Sequence, residues 1–119
     1  MSTTILTRYG ISITKQSNGY VKIRAESDNI NFFFSMMTRS KRSLQRLISN
    51  VDLALNDKYN SIEYDDREWY REVGDLIYVG IINSDKTFEM FLEDKWYETK
   101  ETFPLKDIHE IAEIVLSAL

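Results

Sequence analysis

Hydrophobic positions along the chain recur first at every second residue, then at every third or fourth, and the same change is then repeated. In residues 9–15, Ile11 and Ile13 alternate with Ser12 and Thr14, the period of a half-buried strand. Asn18-Gly19 follows and signals a hairpin, because the tightest hairpin turns need positive φ at both central positions. Residues 20–26 read as the return strand, with Val21, Ile23 and Ala25 on one face. Asp28-Asn29 turns the chain again, and residues 30–34 read as a third strand, apolar on both faces and therefore central. Thr38 or Ser40 then caps a helix. Its stripe is Leu44, Leu47, Ile48, Val51 and Leu55, and it should end near Asn56.

The second half runs through a similar order. Residues 62–64 suggest a short strand, and residues 68–72 a strand or an irregular excursion. Residues 76–82 form a continuous apolar run of the buried-strand type, closed by the turn residues Asn83-Ser84-Asp85. Phe88, Met90 and Leu92 alternate with Thr87, Glu89 and Glu93 in a return strand, and residues 96–100 read as a third. Pro104 introduces the last helix, with the stripe Ile108, Ile111, Ala112, Val115 and Leu119. The two helical stripes have the same spacing, 64 residues apart. The pattern predicts an α+β fold of two β-β-β-α units, antiparallel sheets each followed by a helix. The pseudo-repeats cover residues 8–56 and 61–119 of a single domain, residues 1–119.

Composition narrows the chemistry more than it names it. The 119 residues include no cysteine, which removes disulfides, thiolate nucleophiles and cysteine-based zinc sites and suits a reducing cytoplasm. No stretch approaches the roughly 18 apolar residues of a membrane span, and the first residues lack a signal-peptide pattern. Charge is divided unevenly. Residues 1–56 carry eight basic and three acidic side chains, whereas residues 57–119 carry seven basic and sixteen acidic ones.

Catalytic motifs are not found: no glycine-rich phosphate loop, nucleophile elbow or HExxH occurs. His109 is the only histidine and reads as a boundary residue of the last helix. A non-enzymatic protein without cofactor is expected. Between Asp57 and Asp75 carboxylates alternate with aromatic residues, a mixture suited to meeting a basic protein surface. Glu63, Tyr64, Asp65, Asp66, Glu68, Trp69 and Glu72 are the candidate partner-binding residues. Asp65 and Asp66 point apart if they lie on a strand, and EF-hand spacing is absent, so no metal is expected. A second candidate surface is basic: Lys22 and Arg24 on the return strand, with Arg39, Lys41 and Arg42 at the start of the helix. Tyr20 and Phe33 nearby would allow base stacking beside phosphate contacts.

The arrangement resembles the Whirly fold, on the hairpins at Asn18-Gly19 and Ser84-Asp85 and the stripes from Leu44 and Ile108. That family binds single-stranded nucleic acid, which is the alternative function this resemblance implies. The chain is also similar to bacterial immunity proteins of contact-dependent growth inhibition, a polymorphic toxin system, some of which share the Whirly fold. That resemblance implies a cytoplasmic toxin inhibitor that occludes a cognate toxin, a nuclease above all, by stoichiometric protein binding. A phage-encoded inhibitor of a host defence protein would look the same in sequence.

Overall fold

The computed structural model describes residues 3–6, 8–96 and 98–119. A small antiparallel sheet has the order β1-β2-β3, with β1 (Thr3–Leu6), β2 (Ser12–Lys15) and β3 (Val21–Arg24). Two helices follow, α1 (Asp28–Met37) and α2 (Lys41–Leu55). The larger sheet is a meander of β4 (Glu68–Val73), β5 (Leu76–Ile82), β6 (Thr87–Glu93) and β7 (Glu98–Pro104), also antiparallel, and the C-terminal helix α3 (Leu105–Ala118) completes the chain. The fold is mixed α+β. No helix among the described residues is long and apolar enough to cross a membrane.

The first sheet is closed by the expected hairpin. Gly19 donates its N–H to the Gln16 carbonyl at 3.0 Å and takes φ +87°, while Asn18 does not adopt positive φ. The turn therefore needs its glycine at one position only. Downstream, the third strand expected over residues 30–34 is a helix. Ser27 stands outside its first turn and accepts the Ile30 N–H at 3.3 Å, with Asp28 beside it favoured by the helix dipole. Ile30, Phe33, Phe34 and Met37 then fall at i, i+3, i+4 and i+7, and all four are buried. A five-residue apolar run fits either period, and the cap decides between them. The strand that completes the first sheet lies upstream instead, at β1.

Each half thus differs from a β-β-β-α unit by one element: three strands lead to two helices, and four strands to one. Two further expectations shift. Residues 62–64 form no strand, because short 3-10 turns at Tyr59–Ser61 and Tyr64–Arg67 flank the buried Ile62. The strand expected at residues 96–100 begins at Glu98 and runs on to Pro104, with residue 97 outside the described residues. Pro104 ends β7 and stands immediately before α3 in extended conformation.

The helix α2 keeps its predicted limits. Ser40 caps it by accepting the Ser43 N–H at 3.2 Å, and Leu44, Leu47 and Val51 are buried. Helix α1 contacts β5, β6 and β7 on one side and β3 on the other, while α3 contacts β2, β6, β7 and α2. Helices α1 and α3 are therefore sandwiched between the two sheets, α2 packs against both of them, and one apolar core joins the elements. Ser27 Oγ and Asn29 Nδ2 donate to Glu101 Oε1 at 2.5 and 3.0 Å, fixing the start of α1 to β7. Gly80 on β5 lies beneath the Phe33 ring of α1. A Cβ there would stand 2.5 Å from Phe33 and 2.8 Å from Phe88, so only glycine leaves room for both rings.

Candidate functional site

Alternation along β4 splits the predicted acidic site between two faces. Trp69 is 7% exposed and its ring meets Phe88 in the core, so it is not a surface anchor as expected. Its neighbours Glu68 and Glu72 point to the other face of the sheet and are exposed. Glu63, Tyr64 and Asp65 sit on the turn before β4, with Tyr64 79% exposed. Asp66 is engaged within the molecule: Arg46 Nη1 lies 2.6 Å from its Oδ1.

Register shows what Glu68 and Glu72 belong to. Residues directly opposite in neighbouring antiparallel strands share a face. One row across the sheet is Glu72, Ile77, Glu93 and Glu98; the next is Tyr70, Val79, Phe91 and Lys100; the third is Glu68, Ile81, Glu89 and Thr102. The opposite face of the same strands carries Tyr78, Ile82, Phe88, Met90 and Leu92, all buried beneath the helices. Ile77, Val79, Ile81 and Phe91 remain part-exposed, with Tyr70 at 48%. The outer face is thus an apolar centre framed by glutamates.

The electrostatics of that face are strongly negative. Among the described residues of the three rows Lys100 is the one cation, lying over the Phe91 ring and 3.4 Å from Glu89. Tyr70 donates its hydroxyl to Glu72 at 2.5 Å, and that bond holds the phenol above its ordinary pKa of 10.0, with desolvation and the charges of Glu72 and Glu93 adding to the effect. Glu93 and Glu98 are direct cross-strand partners, an arrangement of like charges that costs stability. Beyond that row, the β6–β7 loop presents Trp96, 89% exposed.

The basic candidates occupy a different region. Lys22 and Arg24 stand exposed on β3 and line a depression with Asn31 and Ser35 of α1. Arg39 lines the adjoining depression beside Phe32, which is 37% exposed, and Lys41 and Arg42 open α2, both exposed. Of the aromatic residues paired with this surface in sequence, Tyr20 is exposed but Phe33 is buried. His109 lies between helices, with Nε2 2.7 Å from Asp52 of α2 and 3.5 Å from Glu113.

Tyr70, Glu89, Phe91, Glu93, Glu98 and Trp96 were not among the predicted site residues. The period-two pattern of residues 87–93 placed Glu89 and Glu93 on one face, but only register joins that face to Glu68, Glu72 and Glu98. The fold and its surfaces together define a mixed α+β protein with an acidic sheet face and a separate basic region. No protein family matches the chain, and no curated protein or solved structure does.

Proposed function

We propose that the protein is a stoichiometric inhibitor that binds a basic protein partner through the outer face of its larger sheet. The observation that carries this reading is the set of three cross-strand rows. They hold an apolar centre of Ile77, Val79, Ile81 and Phe91 inside Glu68, Glu72, Glu89, Glu93 and Glu98. Apolar surface exposed in a patch favours a partner, and the acidic frame selects a cationic one while repelling a second copy of the same face. The Glu93–Glu98 pair is costly in the free protein and would be relieved by partner lysines or arginines. Trp96 supplies an aromatic residue of the kind that anchors interfaces.

The partner class rests on charge. Nucleases line their active sites with lysine and arginine to hold phosphates, so an acidic plug complements them. A toxin nuclease is accordingly the proposed target, and the protein its immunity protein, acting by occlusion without catalysis or cofactor in the cytoplasm. On the same reading, the sheet-then-helix order run twice is a Whirly-like arrangement carrying one added helix and one added strand.

The test is capture by the tagged protein from lysate of its source cells, with and without nuclease treatment. One protein should be retained at equal stoichiometry in both conditions, should be lost with Val79→Lys, and should regain its toxic activity when the inhibitor is removed. Retention unchanged by Val79→Lys would reject the sheet face. Retention that disappears with nuclease treatment and with Lys22→Gln/Arg24→Gln would transfer the function to the basic region and single-stranded nucleic acid.

A further inference from the structure

A cavity of about 290 Å³ opens between the end of α1, the start of α2 and the inner side of β4 and β5. Three arginines from separate segments line it: Arg39 between the helices, Arg46 on α2 and Arg71 on β4. Among the described residues Glu68 is the only carboxylate on the wall. Arg46 is already committed, since it pairs with Asp66 at 2.6 Å and its guanidinium lies 4.9 Å from the Trp69 ring centroid. Arg39 and Arg71 have no carboxylate partner among the described residues.

Two guanidiniums that share one concavity repel each other, and among the described residues neither has an ion-pair partner to offset that cost. Both act on the same group. Burial raises the pKa of the Tyr78 phenol on the cavity wall, and the charges of Arg71 and Arg39 oppose that rise. The start of the 15-residue helix α2, with its Ser40 cap and Ser43, borders the same space and adds the positive end of its dipole. The indole N–H of Trp69, whose side chain forms part of the wall and is more than nine-tenths buried, finds no hydrogen-bond partner. A buried donor without an acceptor is uncommon, and this one belongs to a residue of the cavity lining.

We propose that this cavity is a binding site for a small phosphate-bearing ligand, held between Arg39 and Arg71 at the start of α2. Guanidinium groups grip phosphate oxygens in pairs, and the two arginines reach the lining from separate segments, Arg39 between the helices and Arg71 on β4. The volume suits a phosphate with at most a small organic substituent. The site lies on the inner side of the sheet, where Trp69, Arg71 and Tyr78 line it, and reaches the outer face only at the β4 edge, where it borders Glu68 and Tyr70.

The test uses the full chain in a Trp96→Phe background, so that Trp69 is the sole tryptophan reporting. Inorganic phosphate, pyrophosphate and phenyl phosphate are titrated against sodium chloride at matched ionic strength. A saturable change in Trp69 emission with a rise in Tm is expected, and Arg39→Gln and Arg71→Gln should each weaken it about tenfold. Tighter binding of phenyl phosphate than of inorganic phosphate would assign the site to phosphate esters; the reverse would assign it to the free ion. Both variants should keep the parent circular dichroism, since neither side chain has an ion-pair partner among the described residues to lose. An equal response to sodium chloride, or undiminished binding by both variants, would overturn the proposal. So would a short oligothymidylate binding far more tightly than any small phosphate and losing that affinity in Lys22→Gln/Arg24→Gln.

Discussion

The two faces of the larger sheet are built from the same four strands and differ in what each asks of its side chains. Inside, Tyr78, Ile82, Phe88, Met90 and Leu92 are covered by helices, and Gly80 is empty of side chain so that Phe33 and Phe88 can meet edge to face. Outside, Ile77, Val79 and Phe91 alternate with the inner residues and stay part-exposed, with glutamates in the rows beside them. The inner face is shaped by packing, where volume decides. The outer face keeps an unfavourable glutamate pair and exposed apolar area, neither of which helps the chain to fold. A surface that costs stability is the better place to look for function.

The sharpest way to break this comparison is to truncate one phenylalanine from each face of β6. Phe88 is fully buried between Phe33 and Trp69, so Phe88→Ala should cost about 3–5 kcal/mol in urea unfolding. Phe91 contacts Lys100 and is part-exposed, so Phe91→Ala should cost no more than about 1 kcal/mol. Similar losses at the two positions would mean that the outer face is covered after all, and the partner-binding proposal would fall with it.

A smaller effect, of opposite sign, should come from the glutamate pair. Glu98→Gln relieves the repulsion from Glu93 and should raise stability by about 0.2–1 kcal/mol, most clearly at low salt. Glu93→Gln should do the same, and the double variant should gain less than the sum, because either change alone removes the shared repulsion. Partner capture should weaken in the same variants. Additive gains would show that the two carboxylates do not interact.

Most elements of this fold are legible in the sequence wherever a run is long or its ends are marked. Helix α2 has both its stripe and Ser40, and β6 has strict alternation. Residues 30–34 were too short for period to separate helix from strand, and the Ser27 cap that settles the matter lay one turn upstream. The candidate site was only half legible. Glu68 and Glu72 could be singled out, but Trp69 between them had to lie on the opposite face of any strand, and it did. Glu89, Phe91 and Glu98 join them through cross-strand register, which the two-residue hairpin at Gly74-Asp75 sets for β4 and β5. The meeting of Arg39, Arg46 and Arg71 depends on how α1, α2 and β4 pack, and no spacing in the chain announces it.

The subtlest expected effect reads the outer field directly. Tyr70 donates to Glu72, and that hydrogen bond, followed by desolvation and by the charges of Glu72 and Glu93, favours the neutral phenol and raises its pKa. A folded-state value above the unfolded one means that this contribution to stability is complete below about pH 10 and is lost as pH rises through the folded value. The difference in alkaline absorbance titration between the parent and Tyr70→Phe isolates this one phenol. Its midpoint should lie above that of a free tyrosine, and Glu72→Gln should bring it down by removing both the charge and the acceptor carboxylate. Glu93→Gln should lower it less, since Glu93 acts only through space. A midpoint for Tyr70 that neither substitution moves would show that the glutamates do not set the potential of this face, and with that the argument for a cationic partner would lose its footing.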